Sequence, residues 1–367
     1  MKKFGLLILT SLVTCISCGD SVVIEAKIDP IDAQISIHQE DVSNFYQSSD
    51  YDYSSLPATV NAGRNVGDNN PIEISWTSNA SSNQRYKVVL NDGEQTLNYT
   101  VKGNSFEFYN YKLSTTYEVH LEVGNYRSES ASFTTPSGFT RTIKVEGVPN
   151  FRDLGGYGNI KQGLLYRCMT LENNTIYGSE YVDIPQKGNN ELLNLGIKSE
   201  IDLRKESERG ENFNKIPSIN YQFKPLYYGG ENILTYKDSD YDNPAILKEI
   251  FEFMAVETNY PMIFHCVRGT DRTGCIAFVI KGLLGVAEEF LKKDFIFSNF
   301  YNIGSPVRLE AIENPKSPSS TQKYVNVLKQ EEGNNLQEKI YNYLKNKIGV
   351  SEENINSIIN ILKANNE

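Results

Sequence analysis

Histidine is scarce in this 367-residue chain, which has only His38, His120 and His265. One of the three falls where strands and helices alternate. That excludes a multi-histidine metal centre there, and neither a metal nor another cofactor is expected. Runs of five like charges are absent as well. The net charge of −10 therefore reads as a solvated acidic surface. It also excludes a nucleic-acid partner, whose binding rests on clustered lysine and arginine. Cysteine is sparse. Once Cys15 and Cys18 are assigned to a targeting segment, Cys168, Cys266 and Cys275 remain. An odd count excludes a disulfide framework and leaves at least one thiol to be reactive or buried.

Long apolar runs are missing too. Residues 4–14, behind Lys2 and Lys3, form a stretch of about eleven, whereas a membrane-spanning helix needs roughly twenty. Residues 1–18 read instead as an export signal. Its end, Cys15-Ile16-Ser17-Cys18-Gly19, resembles a bacterial lipoprotein signal with Cys18 as the acylated residue. Cys15 stands where such signals usually carry leucine and is the alternative acceptor; a plain cleaved signal peptide is the simpler reading. Either way export is expected, and acylation makes the chain a membrane-anchored lipoprotein of the periplasm or cell surface.

What is present divides the chain, whose length suits two or three domains. Residues 19–68 are polar, rich in Ser, Asp, Asn and Tyr, and read as a spacer with one strand near residues 22–37. Across 69–137, Ile72, Ile74 and Trp76 alternate with polar residues, as do Tyr86, Val88 and Leu90, then Tyr117, Val119, Leu121 and Val123. With the hairpin signal Asn91-Asp92-Gly93, this predicts a small antiparallel β-sandwich. Trp76, Leu113 and Tyr117 loosely resemble the fibronectin type III pattern. No chemistry is visible there, which leaves a spacer's role or the docking of a protein or glycan partner. From 140 to 367, short apolar runs at 199–203 and 262–264 alternate with helical stretches at 246–256, 273–284 and 336–348. Ser351 caps a last helix. Such alternation predicts an α/β layer fold.

Chemistry is concentrated in His265-Cys266-Val267-Arg268-Gly269-Thr270-Asp271-Arg272-Thr273-Gly274. An apolar strand leads in and an apolar helix leads out. A turn of this kind aims successive backbone N–H groups inward as an anion nest, over the positive end of the helix. Val267 to Arg272 are thus the candidate phosphate-binding residues. The planar fork of Arg272 can hold two phosphate oxygens, and Gly269 permits the backbone twist. Cys266 must ionise to attack. A free thiol titrates near ~8.5, and lowering it by roughly three units takes about 4 kcal/mol. A helix dipole supplies ~2 kcal/mol at best. Loop amides, the Arg272 charge and a hydroxyl such as Thr273 must supply the rest, with His265 orienting the loop from behind. A chance pairing of a buried cysteine with a surface arginine would leave the flanking His265, Gly269 and Gly274 unexplained. A Cys–His protease pair is excluded, because His265 sits beside Cys266 on the other face of a strand.

Three stretches resemble the bacterial tyrosine-phosphatase family of the cysteine-phosphatase superfamily. They are Asn150-Phe151-Arg152-Asp153-Leu154-Gly155-Gly156-Tyr157, Ile201-Asp202-Leu203-Arg204 with Glu206 to Glu208, and the loop itself. They come in the family's order across about 140–367. The resemblance implies an α/β phosphatase domain with about five mostly parallel strands, helices on both sides, and no metal. It implies Cys266 as nucleophile, Arg272 as transition-state clamp and Asp271 as general acid. An unperturbed aspartate, near ~3.9, is a poor acid at neutral pH, so bracing the loop is the other role open to Asp271. Asp238, Asp240 and Asp242 are rival acids on a candidate lid. Arg152, Asp153, Asp202 and Arg204 are expected to form a charge network under the loop. The sequence departs from the family twice. Thr270 stands where a lysine linked with lipid-phosphate preference is common, although Arg268 lies two positions earlier. Cys168 replaces a serine after Leu165-Tyr166-Arg167, and it reads, like Cys275, as a small buried hydrophobe.

The expectation is an exported phosphatase that hydrolyses phosphate monoesters through a phosphocysteine on Cys266. Its partners would be phosphorylated protein, lipid or small-molecule substrates. Phosphotyrosine comes first if Tyr221, Tyr227 and Tyr228 wall a deep pocket. Two rivals stand beside it: a phosphoinositide or inositol-phosphate phosphatase with the same chemistry, and a catalytically idle surface lipoprotein whose sandwich binds a partner.

Overall fold

A computed structural model describes residues 24–48, 67–171, 184–209, 216, 218–228, 232–301 and 320–364. The export segment at 1–18, and 49–66 of the spacer, lie outside the described residues.

Eight strands come first: β1 (Ala26–Ile28), β2 (Ile72–Ser78), β3 (Arg85–Asn91), β4 (Thr96–Lys102), β5 (Ser105–Phe108), β6 (Thr116–Val123), β7 (Tyr126–Arg127) and β8 (Ala131–Thr134). They build two antiparallel sheets, ordered β1-β2-β5 and β4-β3-β6-β7, with β8 also on β6. The alternation in the sequence is the cause, because successive strand side chains point to opposite faces. Ile72, Ile74 and Trp76 from one sheet meet Tyr86, Val88, Leu90, Tyr117, Val119 and Leu121 from the other in one core. Trp76 sets its edge on Tyr86, with centroids 5.3 Å apart. The turn after β3 needs Gly93, whose φ is +89°.

The strand expected near residues 22–37 is present as β1, but residues 24–48 fold into both domains and do not form a spacer. β1 pairs with β2, Ile28 opposite Trp76, so the sandwich begins well before residue 69. Helix α1 (Glu40–Gln47) buries Val42, Phe45 and Tyr46 against Phe297, Phe300 and Tyr301 of the following domain. Composition concealed α1 because a two-turn helix needs only a few apolar side chains.

The second domain has strands β9 (Arg152–Asp153), β10 (Leu165–Cys168), β11 (Ser199–Asp202), β12 (Asn220–Phe223) and β13 (Met262–His265). Their order is β12-β11-β13-β10-β9. The first four are mutually parallel and β9 runs antiparallel on β10, so the sheet is mixed. Its helices are α2 (Gln186–Asn194), α3 (Asn243–Met254), α4 (Asp271–Leu283), α5 (Glu288–Ile296), α6 (Ser320–Leu328), α7 (Leu336–Tyr343) and α8 (Glu352–Leu362). Met262 and Phe264 join one core with α3, α4, α7 and α8, whereas Ile263 joins another with Leu192 of α2. Helices therefore cover both faces. Helix α4 is buried from Arg272 to Leu283, apolar over most of its length, with Arg272, Thr273 and Lys281 as its buried polar exceptions. Ser351 Oγ accepts from Asn354 N–H and caps α8.

Polar bonds lock the two domains together. Arg141 donates to the Tyr111 and Asn110 carbonyls, each at 2.9 Å, and to Asp153 Oδ2 at 2.5 Å. Gln162 and Leu113 exchange two further bonds, at 2.7 and 2.9 Å.

Candidate active site

Strand β13 delivers Cys266 to the mouth of α4, where its side chain is buried. Three carbonyls of the intervening loop are held from outside. Val267 C=O accepts from Thr170 N–H at 3.2 Å, Arg268 C=O from Asn150 Nδ2 at 3.0 Å, and Gly269 C=O from Arg167 Nη2 at 2.7 Å. In a planar trans peptide the C=O and the following N–H point in opposite directions. Pinning these oxygens outward therefore turns the amides of Arg268, Gly269 and Thr270 inward. These three bonds fix the loop backbone against β10 and the turn that carries Asn150.

Gly269 makes the turn possible. Its φ is +68°, and a Cβ there would stand 2.3 Å from the Cys168 carbonyl oxygen. Gly269→Ala is expected to keep the fold but displace the loop. Misplacing reacting groups by about 1 Å costs roughly 10²-fold. The check is kcat/KM on an activated aryl phosphate beside circular dichroism of the same sample.

Burial alone would push the Cys266 thiol up. The Arg272 guanidinium and hydrogen bonds from Thr273 outweigh it and hold the thiol below its ordinary value. The Thr273 hydroxyl is buried beside the sulfur. Arg272 is aimed by Glu208, which takes Nη1 at 2.5 Å and Nη2 at 3.1 Å, while its buried Nε–H has no hydrogen-bond partner. His265 stands behind the loop, its Nε2 3.0 Å from Glu200 Oε1 and its Nδ1 3.3 Å from the Cys266 carbonyl. Burial works against its charge, but Asp202 and Glu200 prevail and raise its pKa.

Sequence reasoning missed a buried cluster beneath the loop. Asp294 accepts from Arg167 Nη1 at 2.5 Å and from Lys281 Nζ at 2.9 Å, and its backbone carbonyl accepts from Arg152 Nη2 at 3.2 Å. Three cations thus surround one carboxylate, and Arg167 carries the surplus to the Gly269 carbonyl. Burial, then Arg152, depresses Arg167 to about 10, which still leaves it cationic at neutral pH. The quoted stretches contained Asn150, and Arg167 was named beside Cys168, but nothing local marked either as a brace. Asp294 and Thr170 carried no signal.

The expected charge network of Arg152, Asp153, Asp202 and Arg204 does not form as one unit. Neighbours on a strand face opposite ways. Arg152 goes to Asp294, while Asp153 goes to Arg141 and to the amides of Gly155 and Gly163. Asp202 and Arg204 pair with each other, and Arg204 Nη1 reaches the loop through Thr170 Oγ1 at 2.8 Å. Burial raises the pKa of Asp271, against a Tyr228 hydrogen bond and the charges of Arg272 and Arg268. Of the rival acids, Asp238 is tied to Tyr236 and held down by it, and Asp242 is held down by Lys237 while capping α3. Asp238 is exposed and Asp242 part-exposed, and with both held low they are poor candidates for an acid. Tyr221 donates to Asp202, Tyr227 stacks on Tyr236 at 4.0 Å, and Tyr228 is 37% exposed beside Asp271. Cys168 and Cys275 are buried, and neither is in a disulfide among the described residues.

Residues 143–364 match the tyrosine phosphatase family. A curated relative named tyrosine-protein phosphatase, from Nostoc commune, is 28% identical over 133 residues, covering 31% of this chain and 45% of that protein. The chain thus spans about half the length of the curated relative it matches. Among solved structures, the core catalytic domain of the PP-IP phosphatase SIW14 from S. cerevisiae, in complex with citrate, is similar at 19% identity. The match covers 46% of this chain and 83% of that one, with a TM-score of 0.29. TpbA of P. aeruginosa is similar at 16% identity over 50% of this chain and 91% of its own, with a TM-score of 0.29.

Proposed function

We propose, because the chain belongs to the tyrosine phosphatase family, that it hydrolyses phosphotyrosine through a covalent phosphocysteine on Cys266. The observation that carries this reading is the set of three outward carbonyls, which leaves inward amides and Arg272 around a sulfur whose ionisation is favoured. In the first step the Cys266 thiolate forms a bond to phosphorus, the bond from phosphorus to the ester oxygen breaks, and Asp271 gives that oxygen its proton. In the second, water attacks phosphorus, the S–P bond breaks, and the Asp271 carboxylate takes the water's proton. The amides and the Arg272 Nε–H stabilise the equatorial oxygens in both. Tyr228, bonded to Asp271 and part-exposed, offers an aromatic surface beside a departing aryl group. Thr270 is buried and brings no cation where the family commonly has one, which favours an aryl phosphate over a polyanionic headgroup.

The pH profile tests the acid. With Cys266 held low, kcat/KM rises with pH as the thiol ionises. With Asp271 held high, it falls as that carboxyl loses its proton. Asp271→Asn is expected to lose the alkaline limb, keep the acid limb, and lower kcat roughly 10²–10⁴-fold, least for leaving groups of low pKa. An alkaline limb that survives the substitution would hand the role to another group. Initial rates on a phosphotyrosyl peptide should exceed those on soluble phosphoinositides; the reverse order would favour the phosphoinositide reading, and no turnover of either the idle protein.

A further inference from the structure

Apart from the catalytic loop, the feature most in need of an explanation is a groove of about 700 Å³ between the sandwich and α2. One wall is five consecutive residues, 98–102 of β4; another is five consecutive residues, 106–110, from β5 onward. Side chains on a strand alternate between faces, so an unbroken run of residues lines a groove only where the strand presents its edge. Both strands end their sheets, β4 pairing only with β3 and β5 only with β2.

The phase of each ladder tells which backbone groups face outward. Asp92 N–H bonds to the Gln95 carbonyl and Gly103 N–H to the Gln84 carbonyl, closing both ends of the β3–β4 register. In an antiparallel pair, residues that exchange hydrogen bonds alternate with residues that do not. Leu97, Tyr99 and Val101 therefore bond to β3, and Asn98, Thr100 and Lys102 turn their N–H and C=O groups away from it. By the same rule, with Trp76 N–H on the Asn104 carbonyl, Ser105 and Glu107 of β5 face outward. None of these outward groups has a partner among the described hydrogen bonds. The β4 edge is seven residues long, carries no proline, and its register runs unbroken. Proteins usually shorten, bulge or block such an edge.

The remaining wall supplies side-chain chemistry. Leu193, at the end of α2, is 55% exposed and, with Phe106 and Tyr99, gives apolar footing. Lys102, Lys144 and Lys187 stand around it with Glu107 and Glu191. Glu107 accepts from the Tyr109 hydroxyl at 2.9 Å and Glu191 from the Glu146 amide at 2.8 Å. Lys144 rides on the Tyr109 ring, and Lys187 reaches Glu146 only at 3.5 Å on the surface. Three lysines against two glutamates leave the lining at a formal +1 on a chain of net charge −10.

We propose that this groove binds an extended polypeptide segment of a partner protein by strand addition to β4, the segment alternating apolar residues with acidic ones. The row of free N–H and C=O groups selects a backbone. Leu193 and Phe106 take the apolar side chains, and the three lysines take the acidic ones. A glycan would use the rings and amides but would leave the ladder groups unpaired.

The test uses the full chain and a displayed pool of eight-residue segments alternating Val, Ile or Tyr with Asp or Glu, against a matched pool carrying Lys at the acidic positions. Expected is enrichment from the acidic pool alone. The best segment, made as a peptide, should slow amide exchange at Asn98, Thr100 and Lys102. Thr100→Pro removes one outward donor without touching the β3 ladder, and should weaken binding roughly tenfold with aryl-phosphate turnover and melting unchanged. Should that variant prove misfolded, Leu193→Asp, which lies outside the sandwich, must give the same weakening. No enrichment overturns the proposal, as does binding that Thr100→Pro and Leu193→Asp leave intact, or competition by oligosaccharides without amide protection. Because turnover is read separately, failure here leaves the phosphatase reading standing, and the converse holds.

Discussion

Cys266→Ser is expected to lower turnover of an aryl phosphate at least about 10³-fold, which at ~1.36 kcal/mol per decade is roughly 4 kcal/mol of barrier. The reason is ionisation rather than shape. Arg272 and Thr273 hold a thiol below its ordinary value despite burial. A serine hydroxyl starts many units higher, and the same two neighbours cannot bring it into the working range, so no anion forms to attack phosphorus. The fold should survive, since the exchange swaps one small buried atom for another. Phosphate release from serine and wild-type protein, purified alike, is the measurement. A serine variant that retained more than about a tenth of the wild-type rate would remove Cys266 from the mechanism.

Arg272 carries the second large effect. Arg272→Lys keeps a positive charge but loses the planar fork, and should cost roughly 10²–10³-fold in kcat, the usual loss of one transition-state donor. Arg272→Ala removes the charge as well. It should show a comparable or larger fall and also move the acid limb of the pH profile upward, because the cation that favours the thiolate is gone. If the limb moves equally in both variants, position rather than charge governs the thiol. Glu208 orients the same guanidinium through two bonds, so Glu208→Gln should reproduce part of the loss without that shift.

Much of this site could be read along the chain because it is contiguous. The cysteine, the glycine with positive φ and the arginine that opens α4 lie within seven residues, and the flanking strand and helix announce themselves by apolar content. The braces were invisible for the opposite reason. Arg167 meets Asp294 across 127 positions and Gly269 across 102, and such pairings depend on strand order, which periodicity does not reveal. Asn150, Arg152 and Asp153 were visible as a motif, but their partners were not. Alternation on β9 sends the arginine and the aspartate to opposite sides, one towards the catalytic loop and one towards the sandwich. In the amino-terminal segment β1 lies where a strand is expected, but α1 was not legible, because composition averages over fifty residues and that helix is stabilised by a handful of buried side chains. The acid was left open between Asp271 and the aspartates at 238–242, because exposure and capping are properties of the folded chain.

Arg141 has a practical implication. Its guanidinium is buried between the Tyr111 and Asn110 carbonyls on one side and Asp153 on the other. Trimming the chain to its enzymatic part near residue 140 would strip that cation of two acceptors and uncover Asp153 one residue from Arg152. A shortened version made for assays would therefore begin with a buried ion pair opened to water at the edge strand β9, on the side of the sheet away from the catalytic loop.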